Sequence, residues 1–311
     1  MKHWFARLTL LLPLFIGMAH AALPPVLSPQ ELAARLREGP VRVIDIRSPA
    51  DVLGYVPGAV VAPYVAWRGP ADNPGRMPEL SVLTPLLQRL GIDETTAVVV
   101  VHEGSDATDF GAAARVYWTL KTAGVTDVAI LNGGMTAWRR DGLALANAPD
   151  RPAPSRYQAR IDPRWLASRV QVSEAMGNSS WRLLDARPAA FFLGEKRHAA
   201  ARTPGTLVGA KNVEHTAWFV PDSGELASAE TIAATAKRLG VDPQAPTVSF
   251  CNTGHWAATQ WFVLSEVLGG REVRLYPESM VDWSQAGLPM DNVPSRLQQF
   301  RLQLEAAFGT R

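Results

Sequence analysis

Cysteine is almost missing: residue 251 is the only one among 311. No internal disulfide can form, which excludes a disulfide scaffold and a cysteine-rich metal site. Histidine is scarce as well, with six scattered residues and no H-E-x-x-H spacing, so no metal centre and no cofactor are expected. Neither sign of charge dominates, since 31 basic and 29 acidic side chains give +2. Two of the bases, Lys2 and Arg7, sit in an N-terminal stretch that holds no acid, so the rest of the chain is balanced. That balance sets up no global field for nucleic acid or anionic lipid. Long apolar runs are lacking too. The longest, Leu8 to Met18, is too short to anchor stably in a bilayer.

What the N-terminus does hold is an address. A basic start, the apolar run and the small-x-small triplet Ala19-His20-Ala21 match a secretory signal over residues 1–21. Cleavage after Ala21 is expected, leaving an exported chain with no membrane attachment, periplasmic if the source is a Gram-negative bacterium. The remaining length, about 290 residues, suggests two domains with separate cores.

Internal repetition supplies the plan. "VRVIDIRSPADVLGYVPGAVVAPYVAW" is echoed by "WRLLDARPAAFFLG" and "TPGTLVGAKNVEHTAWF". Each copy has a short apolar strand ending in Asp-x-Arg, at Asp45/Arg47 and Asp185/Arg187, then a Gly-Ala step at Gly58 and Gly209. "VAILNGGMTAWRRDGLAL" is likewise echoed by "VRLYPESMVDWSQAGLPM". The chain reads as a tandem duplication: one unit over 22–147, a Pro-rich joint over 148–156, and a second unit over 157–290. An amphipathic helical tail follows over 291–311, with Leu297, Phe300 and Leu304 on one side, packing on its own domain or forming a dimer contact. Apolar strands alternate with helical segments, so each unit is expected to be α/β, a parallel sheet flanked by helices. Val98 to Val101 suits a strand buried on both faces, and Thr247 to Phe250 takes that part in the second copy. Ala257, Trp261, Leu264 and Leu268 fall on one helical face, with a stop at Gly269-Gly270.

Cys251 therefore stands at the carboxyl end of a strand and just before a helix, where such sheets bind ligands. Backbone amides without intrahelical partners collect there and favour an anion, hence the thiolate. Gly254 permits a backbone curve that a Cβ opposes and leaves room beside the sulfur. This is the environment of a nucleophile.

The Asp-x-Arg strand ends, the "LNGGMTAW" turn and the Cys-x-x-Gly-x-x-Ala loop together resemble the rhodanese sulfurtransferases, over nearly the whole chain after residue 21. The resemblance implies two tandem rhodanese-like domains, of which only the second carries the nucleophile. Strand alignment sets His102 opposite Cys251, in a loop "HEGSDATDFG" read as longer than its counterpart, so the first domain is expected to be a non-catalytic wall of the site. The implied chemistry moves a sulfane sulfur from thiosulfate, through a Cys251 persulfide, to cyanide or a thiol. A lone cysteine suits this, because no internal thiol is present to collapse the persulfide. Arg187 matches the family arginine associated with the anionic substrate; its alternative role is an ion pair with a neighbouring acid. Asp185 is read as structural.

The loop departs from two common family patterns, basic residues after the cysteine and Gly-Ser. Asn252 and Thr253 follow Cys251, then Gly254, His255 and Trp256. Fixed charge in the loop is thus missing, and 3-mercaptopyruvate stands as an alternative donor. His255 is read as a hydrogen-bonding support, with an acid, base or charge role as the alternative. "GEKRHAAARTPG", residues 194–205, is read as a solvated insertion unless it folds over the cleft and brings Lys196, Arg197, His198 and Arg202 to the site. Trp256 and Trp218 are ambiguous between site wall and core, while Trp261 is expected in the core. No arginine lies inside the loop, which argues against a related phosphatase chemistry. The non-enzyme alternative is a persulfide carrier or binding protein that hands sulfur to a protein acceptor.

Overall fold

The computed structural model describes residues 22–48, 52–295 and 298. The expected signal peptide and all but the start of the tail, including Leu297, Phe300 and Leu304, lie outside the described residues.

The first unit holds strands β1 (Val26–Leu27), β2 (Arg42–Asp45), β3 (Val60–Val61), β4 (Val98–Val101) and β5 (Val128–Leu131), in the order β1-β5-β4-β2-β3. Every pairing is parallel. Its helices are α1 (Pro29–Glu38), α2 (Leu80–Arg89), α3 (Ala107–Thr122) and α4 (Gly134–Arg140). All four valines of β4 are buried, as a strand covered on both faces requires. Ser28 and Glu31 close a reciprocal capping box on α1.

In the second unit β6 (Arg182–Asp185), β7 (Thr206–Leu207), β8 (Lys211–Asn212), β9 (Thr247–Phe250), β10 (Val273–Leu275) and β11 (Met290–Asp291) are joined by α5 (Arg169–Met176), α6 (Ala189–Phe192), α7 (Ala229–Arg238), α8 (Trp256–Phe262) and α9 (Ser279–Gln285). The main sheet runs β10-β9-β6-β8 and is parallel. A single parallel bridge, Leu166 to Leu275, stands where the first unit has β1. β11 pairs antiparallel with β7, and Asn292 donates to Phe192 O, so the packing of the second unit runs past residue 290. The joint is not loose either. Ser155 N donates to Gln88 O, Tyr157 OH to Ala123 O and Asp162 N to Thr122 O, which ties residues 155–162 to the first unit.

Helix α8 passes into a π-helical turn over Val263–Val267 before Gly269, so the expected apolar face continues with a wider pitch. It packs on α3, and this seam is the centre of one core that draws on both units. Phe110 and Tyr117 of α3 each meet Phe262 edge-on, and Tyr117 also packs against Trp261. Each such aromatic is worth about 3–5 kcal/mol on truncation to alanine, enough to fix the two units against each other. Trp261 is fully buried, as expected, and so is Trp218. Two further apolar clusters cover the outer face of each sheet.

Candidate active site

Cys251 follows β9 and opens the five residues, 251–255, that lead into α8. The matching segment of the first unit, 102–106 between β4 and α3, is also five residues long. The expectation of a longer first loop is therefore corrected: the extra polar residues of "HEGSDATDFG" belong to the first turn of α3, which Asp106 caps. The backbone proves the pairing of His102 with Cys251. Met135 N and Thr136 N donate to the carbonyls of His102 and Glu103, and Met280 N and Val281 N donate to those of Cys251 and Asn252.

The sulfur is enclosed, with Cys251 1 % exposed. Its amide donates to Ser279 Oγ at 3.0 Å, and that hydroxyl donates to Tyr276 O at 2.7 Å. Ser279 holds φ +52, a left-handed conformation that costs a serine free energy. Gly254 has φ +66, and a Cβ there would run into Pro277 O and the Arg115 guanidinium. The amides of residues 252 to 257 find no protein acceptor among the described residues. They form an open cradle next to the thiol, of the kind that seats an anion.

The first unit contains the same cradle in a filled state. The Asp109 carboxylate accepts from Gly104 N at 2.6 Å, Ser105 N at 3.3 Å and His102 Nδ1 at 2.8 Å. Burial pushes that carboxyl up, but these three donors outweigh it and hold it below the usual carboxylate range.

Arg187 does not reach into the cradle as a free cation. Its Nε and Nη2 engage Asp185, Nη2 also donates to Gly205 O at 2.8 Å, and Nη1 donates to Asn252 Oδ1 at 3.3 Å. Arg47 repeats the pattern with Asp45, Gly54 O at 2.8 Å and Glu103. A residue doing the same work in a unit without a thiol is serving the fold. The expected paired grip of Arg187 on the donor is replaced by a buried ion pair that braces Asn252. Asp185 is structural, as read.

Two further cations approach the loop from the first unit. Arg115, fully buried on α3, donates Nη1 to Thr253 O and Gly254 O, both at 3.3 Å, and Nη2 to Gly75 O at 2.7 Å. Its acceptors are carbonyls, not a carboxylate, and burial first, then the nearby Arg68, lowers its pKa to about 9. Arg68 ends the 3-10 turn Tyr64–Trp67 and donates Nη2 to Thr253 Oγ1 at 2.9 Å.

His255 closes the seam. Its Nε2 lies 2.7 Å from Thr108 O, an acceptor, so Nε2 carries the proton and Nδ1 accepts from Tyr64 OH at 2.7 Å. Burial, followed by the charge of Arg68, pushes its pKa down to about 4. It is neutral at pH 7 and restores no charge to the loop; the supporting role holds. Trp256 donates Nε1 to Thr108 Oγ1 at 3.2 Å and stacks on His215 with ring centroids 4.9 Å apart, forming wall instead of core. In the 194–205 segment, Gln285 Nε2 bridges Ala200 O to Asp72 O of the first unit, and Arg68 lowers the His198 pKa after burial does. The insertion thus leans over the cleft, while Lys196, Arg197 and Arg202 stay exposed.

Sequence reading missed Arg68, Arg115, Tyr64 and Ser279. A signal existed: the 3-10 turns align Arg68 with Phe219, and the helix starts align Arg115 with Leu264, so each arginine replaces an apolar residue of the other copy. The largest cavity described, about 680 Å³, lies among Arg182, Lys211 and Thr247 at the amino ends of the strands, away from the thiol. Among the described residues no group of three acidic, cysteine or histidine ligands could hold a metal, and no helix is long and apolar enough to cross a membrane.

Two segments, residues 28–141 and 168–286, match the Rhodanese-like domain, and the chain belongs to that family. A thiosulfate sulfurtransferase of Azotobacter vinelandii is 31% identical over 85% of this chain and 95% of its own length. A sulfur carrier protein of Thermus thermophilus is 29% identical over 88% of this chain and 98% of its own. The crystal structure of a 3-mercaptopyruvate sulfotransferase of Escherichia coli superposes with a TM-score of 0.71 at 26% identity, covering 83% of this chain and 99% of that one.

Proposed function

We propose that this member of the rhodanese-like family is a sulfurtransferase, carrying a sulfane sulfur from a small donor such as thiosulfate to a thiophilic acceptor on Cys251. The observation that carries the reading is the open row of amides at residues 252 to 257 beside the one thiol, against the filled row in the first unit. The Cys251 thiolate attacks the outer sulfur of thiosulfate. A Cys–S–S bond forms, the bond to the sulfonate sulfur breaks, and its electron pair leaves with sulfite. The resulting persulfide anion sits where the amides point, stabilised as a developing oxyanion is in other sites. Cyanide or a thiol then takes the outer sulfur and regenerates the thiolate. Asn252, Thr253, Gly254, His255 and Trp256 shape the cradle and its wall, Cys251 alone is the nucleophile, and Arg187 holds Asn252. The first domain supplies the facing wall and its cations.

Thiosulfate and 3-mercaptopyruvate are both acted on within the relatives named above, and either fits a site that seats one anion. A second reading, a persulfide carrier that discharges to a protein, is favoured by the carrier among those relatives. Export through residues 1–21 belongs to the proposal as well, supported by the basic start, the apolar run and the Ala19-His20-Ala21 triplet.

Exposure to thiosulfate should add one sulfur, about 32 Da, to the intact mass, and cyanide should remove it as thiocyanate. The Cys251→Ser chain should show no mass change; a shift that persists places the sulfur elsewhere and defeats the proposal. Turnover with a small acceptor identifies the enzyme, while loading with no turnover until a protein thiol is supplied identifies the carrier.

A further inference from the structure

We infer that Arg68, on the domain without the thiol, is the residue that binds the oxoanion of the sulfur donor. The inference rests on the sulfurtransferase reading above. Asn252 and Thr253 occupy the two places after the cysteine, so the loop brings no fixed charge of its own, and an anionic donor needs one from elsewhere. The other two arginines that touch the loop, Arg187 and Arg115, have both amino groups engaged, with only Arg115 Nε left over. Arg187 is spent on Asp185, Gly205 and Asn252. Arg115 spends both amino groups on Thr253, Gly254 and Gly75. Arg76 pairs with Glu278, and Arg197 with carbonyls of its own loop.

Arg68 is different. Its Nη2 donates to Thr253 Oγ1 at 2.9 Å, two residues from the thiol, which fixes the guanidinium at the cradle. Its Nη1 is buried and has no partner among the described residues. The Tyr64 ring lies 5.3 Å beneath the guanidinium carbon and holds the plane. A buried cationic amino group with two unused N–H bonds is costly to keep and is the donor an oxoanion would satisfy. The sulfonate oxygens of thiosulfate and the carboxylate of 3-mercaptopyruvate share this chemistry. With thiosulfate, Arg68 holds the sulfonate as the sulfur–sulfur bond breaks and remains on the sulfite that departs with the electron pair. With 3-mercaptopyruvate it holds the carboxylate while Cys251 bonds to the thiol sulfur. The carbon–sulfur bond breaks with its electron pair on carbon, the thiol proton passes to that carbon and pyruvate leaves.

The test measures persulfide loading by intact mass against donor concentration, for the parent chain and for Arg68→Gln. The KM for the donor should rise by about 10- to 100-fold while kcat changes by less than about threefold. A rise with thiosulfate alone assigns Arg68 to a sulfonate, with 3-mercaptopyruvate alone to a carboxylate, and with both to either oxoanion. Calorimetry of sulfite binding to Cys251→Ser, with and without Arg68→Gln, should show affinity weakened by a similar factor. Unchanged KM and unchanged sulfite affinity, or a fall in kcat alone, overturns the inference. Should Arg68→Gln fail to fold, Arg68→Lys, which keeps the charge and loses the fork, is measured instead and should raise KM by about three- to tenfold. If the parent chain takes sulfur from neither donor, the sulfurtransferase reading fails, and sulfite binding still decides the place of Arg68.

Discussion

The two rhodanese-like domains carry the same loop at the same end of the same sheet, and they differ in what fills it. In the first, the Asp109 carboxylate takes the amides of Gly104 and Ser105 and the His102 ring. In the second, those amides have no protein partner and Cys251 stands where His102 stands. The first domain therefore works as an internal control. It shows that the loop binds an anion, because one is there. It also separates residues that maintain the fold from residues that serve the reaction. Asp-x-Arg pairs occur in both domains with the same bonds to the aspartate and a backbone carbonyl, differing only at Nη1, which meets Glu103 in one and Asn252 in the other. The open cradle occurs in one. The domain without a thiol lends its neighbour Arg68, Arg115, Tyr64 and the Thr108 carbonyl.

The largest effect that tests this comparison is on stability. Arg187→Met and Arg47→Met each strand a buried aspartate, and each should cost about 3–5 kcal/mol in urea denaturation. Similar losses would sharpen the comparison. If Arg187→Met keeps its stability and loses donor binding, the parallel breaks and the arginine returns to the substrate.

A smaller effect separates chemistry from folding. Ser279 and Gly134 hold matching left-handed conformations, φ +52 and φ +53, yet only the serine caps an amide, that of Cys251. Ser279→Gly relieves backbone strain and gives up that bond, so stability should stay within about 1 kcal/mol while sulfur loading slows by about tenfold. Loading at the parent rate would mean that the cap does not position the thiol.

The smallest effect at neutral pH concerns the histidines of the second domain. His215 and His255 are both pushed down to about 4, chiefly by burial. Their unfolded values lie near 6.5, so the unfolded chain takes up protons first as the pH falls. Their contribution is fully present above about 6.5 and is lost as the pH drops toward about 4. The Tm should decline through that window, and His255→Gln should flatten the decline. An unchanged slope would remove His255 from the seam's electrostatics.

Much of this was legible in the sequence. The strand runs, the twin Asp-x-Arg ends and the pairing of His102 with Cys251 follow from repetition, because side chains that recur at fixed spacing rebuild the same backbone bonds. Loop length is not legible in the sequence, because a capped first turn and a loop contain the same polar residues. The place of Arg187 in a motif points to substrate, but a motif records which residue is present without recording which acceptors surround it. The insertion at 194–205 reads as solvated in the sequence, yet Ala200 shares Gln285 with Asp72 of the first unit, a bridge that joins residues 213 positions apart.

The sequence by itself determined two α/β units, one thiol at a strand end and a loop without fixed charge, since each depends on order along the chain. Only the tertiary structure decided which guanidinium keeps a whole amino group without a partner and which amides stay open. Those properties arise from the packing of α3 on α8, which brings residues more than a hundred positions apart within hydrogen-bonding distance and lets one domain complete the site of the other.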